Sequence, residues 1–131
     1  MTDKTHRYSL LHDAELIALM HEKKEKKASI TVAHVDGSEA TLELHGVKAI
    51  RMVDFISQNV ISRVLCSEAM SFDERDLQRL VAWTNSLSDG TCLISQEAIE
   101  KYVTDIQSGS LKLLAIEPSW GAELVCIYAA D

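Results

Sequence analysis

Residues 111–131 read LKLLAIEPSWGAELVCIYAAD, and the fold class follows from this stretch. Two apolar segments, 113–116 and 122–130, flank Pro118-Ser119-Trp120-Gly121. Proline presets φ and has no N–H to give a ladder, while glycine tolerates positive φ, so the tetrad predicts the turn of a hairpin. In the second arm, Leu124-Val125-Cys126-Ile127-Tyr128 is apolar at consecutive rather than alternate positions. A strand with one wet face alternates. The unbroken run therefore predicts a strand covered on both faces and central in its sheet.

Just upstream, two helices have clear start signals. Asp73 is placed to cap the first, with Phe72 and Leu77 as a hydrophobic staple. Its inward stripe is Leu77, Leu80, Val81, Thr84 and Leu87, with Trp83 beside it, and Ser88-Asp89-Gly90 ends it. Ser95 caps the second helix, Ile94 and Ile99 form its staple, and Ile99, Tyr102, Val103 and Ile106 form its stripe. Gly109 supplies the left-handed residue after its end.

Nearer the N-terminus, Asp36-Gly37 between alternating segments predicts a hairpin of 29–35 with 40–47. Setting Ile30 and Val32 inward, opposite Leu44 and Leu42, places His34 inside near the rim and His45 outside. Two more strands, 49–55 and 60–66, follow across Ile56-Ser57-Gln58-Asn59, completing an antiparallel meander, with Gly46 marking a bend between the second and third strands. Residues 10–27 present Leu16, Ile17, Leu19 and Met20 at helical spacing and end in a charged Lys23–Lys27 turn, so a helix is expected there. The order α-β-β-β-β-α-α-β-β predicts an α+β fold: one antiparallel or mixed sheet of about six strands, with three helices packed mainly on one face. One domain spanning 1–131 is expected, with 1–8 as an N-terminal tail.

A chain of 131 residues is long enough to bury a core, and 47% apolar with 25% charged residues argues against general disorder. Cys66, Cys92 and Cys126 are odd in number and widely spaced, which points to a reducing, cytoplasmic compartment rather than a disulfide framework. The first residues lack the apolar centre of a signal peptide, and no run approaches the roughly 20 apolar residues of a membrane span. Residues 28–131 hold seven Lys/Arg against fifteen Asp/Glu. That balance disfavours nucleic acid through phosphate repulsion and suits a basic protein partner.

Catalytic signals are weak. His21-Glu22-Lys23-Lys24-Glu25 starts like a zinc-binding helix but has Glu25 where the second histidine belongs, so neither a metal nor a cofactor is expected. Cys126 lies in the most apolar strand, where burial leaves a thiol inert, while Cys66 and Cys92 are expected to be more exposed, without a base beside them. No nucleophile elbow, P-loop or dinucleotide fingerprint occurs. Glu117 and Glu123 flank the turn that carries Trp120, making a small amphipathic tip. Arg51 and Asp54, three apart, should face opposite sides of their strand, so one points inward and needs a partner. With His34, these are the candidate binding residues. They suggest a non-catalytic, acidic interaction module that self-associates, for example as a homodimer, or holds a basic protein. The alternative is a small-ligand binder or enzyme with a pocket between sheet and helices, lined by Trp83, Tyr102 and Tyr128 with Arg51 or His34.

Overall fold

The chain runs α1 (Lys4–Ser9), β1 (Glu15–Glu22), β2 (Lys27–Ala33), β3 (Glu39–His45), β4 (Ala49–Val53), β5 (Val60–Cys66), α2 (Glu74–Thr84), α3 (Gln96–Ser108), β6 (Lys112–Trp120) and β7 (Glu123–Tyr128). This is a computed structural model, and it describes residues 4–130, with side chains from Arg7 onward. All pairings are antiparallel, in one seven-stranded sheet of order β3-β2-β1-β5-β6-β7-β4. The α+β class and the single sheet stand, with one strand more than expected.

The covering of β7 follows from its side chains. Leu124, Cys126 and Tyr128 point into one core with Leu114 and Ile116, while Val125 and Ile127 join a second core with Leu113 and Ala115. The second core is closed by α2 and α3, which lay Leu77, Leu80, Val81, Ile99, Val103 and Ile106 on the outer face of β6 and β7. The first core is closed by the sheet itself. Leu16, Ala28, Ile30, Val32, Leu42 and Leu44 of the β3-β2-β1 wing pack over the inner face of β6 and β7. An antiparallel bridge between His45 and Ala130 holds the folded-back wing at one rim. The tail ribbon is thus the middle layer of three.

Residues 10–27 form β1 and its turn instead of a helix. A β-bulge between Leu16 and Ala18 explains the misleading spacing. The extra residue, Ile17, shifts the alternation by one, so Leu16 and Leu19, three apart, both face the first core while Met20 points to solvent. A bulged strand carries the i, i+3 pattern that otherwise marks a helix.

Three other expectations are corrected. Residues 49–66 do not continue a meander: β4 pairs with β7, and β5 lies between β1 and β6. Gly46, at φ 68°, turns the chain from one layer to the other, and a side chain there would strike Ala129. In the β2–β3 hairpin the faces are as expected but the register differs by two, with Ile30 opposite Leu42 and Thr31 opposite Thr41. The loop comprises residues 34–38, closed by His34 N donating to Ser38 O, and a shift of two leaves every side chain on its face. At the N-terminus, the segment expected to be a tail enters α1 at Lys4, and Tyr8 is buried in the first core. Residues 1–3 lie outside the described residues.

Both caps form as expected. The Asp73 side chain accepts from Arg75 N, and the Ser95 side chain from Ala98 N. α2 stops earlier than expected, at Thr84, and Leu87 is exposed because Ser86 pairs with Cys92 in a bridge that carries the chain away from the sheet.

Candidate functional site

One rim of the sheet is organised by Asn59. This buried side chain accepts from Ile56 N (2.9 Å) and from Ala122 N (3.0 Å) and donates to Ile56 O (2.7 Å). Its own carbonyl accepts from Leu16 N at 2.8 Å. A single residue therefore fixes the 54–59 loop, the start of β1 and the β6–β7 turn. Three large apolar side chains are left outside this knot: Trp120 is 61% exposed, Phe55 48% and Ile56 46%. A tryptophan this open does not lid the core. It is presented at the tip of a hairpin whose backbone is tied down.

The surroundings of the tip are acidic. Trp120, Val60, Glu15, Ala33 and Glu39 lie in one row across four neighbouring strand pairs. Glu123 stands opposite Val53, and Asp54 follows with φ 60° at the start of the loop. Glu117 is held by the Arg63 guanidinium across β5. The other rim is basic: it carries the Lys23–Lys26 turn, Lys48, and Lys112, which is opposite Tyr128. The net charge of −7 is thus unevenly shared between the two ends.

Of the candidate residues, Trp120, Glu123 and Asp54 meet at this rim, and Glu117 is engaged with Arg63. Arg51 does not join them. It faces α2, where Nη1 donates to Trp83 O at 2.8 Å and the guanidinium lies 4.4 Å from the Trp83 ring centroid. α2 has no basic residue in its last turn, so Arg51 supplies from β4 the cation that the C-terminal carbonyls favour. It is structural glue. His34 sits in the β2–β3 hairpin, next to Ala33 and thus about three strand spacings, roughly 15 Å, along the row from Trp120. It lines an open groove with Leu10, Val35, Asp36 and Ser38 instead.

The residues that sequence reasoning missed are Phe55, taken for the end of a strand that in fact stops at Val53, and Ile56 and Asn59, taken for plain turn positions. The available signal was two large apolar residues inside an otherwise polar turn, followed by an asparagine at a strand entrance.

A second feature lies between α1 and the inner face of β5. A cavity of about 360 Å³ is lined by Tyr8, His12, Ser62, Val64, Cys66 and Met70, among others. His12 Nδ1 donates to Ser62 O at 2.6 Å, fixing one wall. Contrary to expectation Cys66 is buried, because β5 turns that side chain into the first core, where its Sγ lies 3.4 Å from Tyr128 Oη. Tyr128 Oη in turn donates to Glu68 Oε2 at 3.1 Å. Burial, and after it the neighbouring Cys66, push the Tyr128 hydroxyl well above its ordinary range. The side chains expected to line one pocket between sheet and helices are divided: Trp83 and Arg51 stack together, Tyr102 packs against the second core and Tyr128 lies in the first.

Among the described residues no three His, Cys, Asp or Glu gather in a metal-binding group, and His21 lies exposed on β1 with Glu25 in the following turn. No helix among them is long and apolar enough to cross a membrane. Comparison with known proteins gives no match to a family model and no significant match to a curated protein or a solved structure.

Proposed function

We propose that this protein is a non-enzymatic interaction module whose Trp120 rim binds a basic, extended segment of a partner protein. The carrying observation is Trp120 itself, exposed at a tip held by Asn59, with Phe55 and Ile56 exposed on the loop that the same Asn59 ties to this turn and Asp54, Glu15 and Glu123 on the same rim. An aromatic anchor with low rotamer entropy, rimmed by carboxylates, favours a lysine or arginine laid on the ring next to an apolar side chain. The acidic rim adds long-range attraction that speeds encounter with a cationic partner.

Selection of a displayed random peptide library on the purified protein tests this. Peptides pairing basic with apolar residues should be enriched, and Trp120→Ala or the pair Asp54→Lys and Glu123→Lys should abolish their binding while leaving the melting temperature nearly unchanged. Enrichment indifferent to these substitutions defeats the proposal. So does a fall of several degrees in Trp120→Ala, which would make the ring a core component.

A second reading is favoured by the 360 Å³ cavity, whose size is that of a small-ligand site. Its polar residues, Ser9, His12, Ser62 and Arg63, sit beside an apolar wall of Val64, Ala69 and Met70. A fragment screen read on the Val64 and Met70 methyl resonances tests it: saturable shifts there support a ligand site, and their absence across the screen removes it.

A further inference from the structure

The basic rim carries a pocket that the interaction reading does not use. About 220 Å³ in volume, it is lined by His21 at the end of β1, Lys23 and Lys26 of the β1–β2 turn, and Lys48, with Val47, Ala49 and Ile50 forming an apolar floor. Two segments far apart in sequence are clamped together to make it, through Val47 N donating to Lys26 O at 2.8 Å. Lys26 adopts φ 52°, and Lys26 N bonds back to Lys23 O at 3.2 Å, so the turn is closed on itself.

The charges in this pocket are not neutralised. Among the described residues, no carboxylate lies within ion-pair distance of Lys23, Lys26 or Lys48. Neighbouring Lys27 shows the contrast, bridged by both Glu22 and Glu43. In a chain with seven more acidic than basic residues, three uncompensated lysines and a histidine around one concavity form a local positive field of the kind that concentrates anions.

We infer that this pocket, bounded by His21, Lys23, Lys26 and Lys48, binds a small molecule bearing a phosphate group. The lysines meet the phosphate as point charges, and the Val47–Ile50 floor takes a short apolar portion of the same molecule. A polyanion fits less well. Nucleic acid engages a succession of phosphates along a broad basic face, whereas this positive field is confined to one small pocket and the chain as a whole is acidic. The volume also lies below the roughly 300 Å³ at which drug-sized sites begin, which suits a compact ligand.

The test is an amide-resonance titration of the intact protein at low ionic strength with inorganic phosphate and with phenyl phosphate, using sodium chloride as the ionic control. Saturable shifts confined to residues 21–26 and 47–50 are expected, with phenyl phosphate binding more tightly than phosphate. Joint replacement Lys26→Gln and Lys48→Gln should weaken binding about tenfold, consistent with loss of two charge-assisted contacts. Lys24→Gln, in the same turn but outside the pocket, should leave it unchanged. The inference is overturned by three outcomes: no saturable shift at millimolar phosphate, shifts spread equally to Lys101 and Lys112, or a short RNA or anionic vesicle that binds more tightly across a wide surface.

Discussion

Gly121 and Asn59 are built against each other. Gly121 holds φ 85°, and a Cβ placed on it would stand 2.5 Å from Asn59 Oδ1 and 2.7 Å from Gln58 O. Backbone handedness and lack of space both demand glycine here. The hydrogen bonds of Asn59 then lock the tip that presents Trp120.

Gly121→Ala should destabilise the protein by about 2–4 kcal/mol, from the positive φ and the clash together. Asn59→Ala should cost a similar amount, about 2–3 kcal/mol, because the buried Ala122 N–H and the part-buried Ile56 N–H and C=O lose their partner. Urea unfolding measures both. A change below about 1 kcal/mol in either would show that the knot is not rigid.

Arg51→Ala should lower stability by about 1–2 kcal/mol, since it removes the stack on Trp83 and the bond to the α2 terminus together. Arg51→Lys should recover only part of this, because an ammonium neither stacks nor spans the carbonyls of Trp83 and Leu87. Two tryptophans permit a fluorescence check: iodide should quench Trp120 strongly and Trp83 weakly, so Trp120→Phe removes most of the quenching.

Alkaline destabilisation should trace in part to Cys126. Burial pushes its thiol from 9.0 to about 12. With the folded value raised, the thiol remains neutral in the fold while the unfolded chain ionises, so the unfolded state binds fewer protons above pH 9. Stability is then fully present below pH 9 and declines as pH rises toward 12, by at most about 1.4 kcal/mol per pH unit. Unfolding free energies taken between pH 8 and 10.5 should show a shallower decline in Cys126→Ala. Tyr128, also raised, adds a further decline above its ordinary range that both proteins share.

Thiol labelling under native conditions should modify Cys92 rapidly and leave Cys66 and Cys126 slow. Cys92 is exposed and bonds only weakly to Ile94 O and Ala82 O, whereas the other two lie in the first core. Three thiols should react at once in denaturant. Fast native labelling of Cys66 would mean that the cavity beside α1 opens widely.

Much of this molecule was legible residue by residue. Asp73, Ser95 and Gly109 mark helix ends because caps satisfy backbone groups within a few residues, a local transaction that local sequence records. The consecutive apolar residues of β7 announced two covered faces for the same reason: the requirement belongs to the strand itself. What misled was a local pattern with two solutions. Leu16 and Leu19 share a face in a helix and equally in a bulged strand, and only pairing with Ile30 and Val32 chose between them.

The sequence alone settled that the chain is α+β, where its last two helices are capped, and that the tail ribbon is buried on both sides, since each depends on neighbours along the chain. The partnership of β4 with β7, the folding of one wing over the other, the tying of the Phe55–Ile56 loop to the β6–β7 turn through Asn59, and the clustering of Lys26 with Lys48 were decided by tertiary structure. Each joins segments at least 20 residues apart, and such choices are made by the shape of the whole core rather than by periodicity within any one segment.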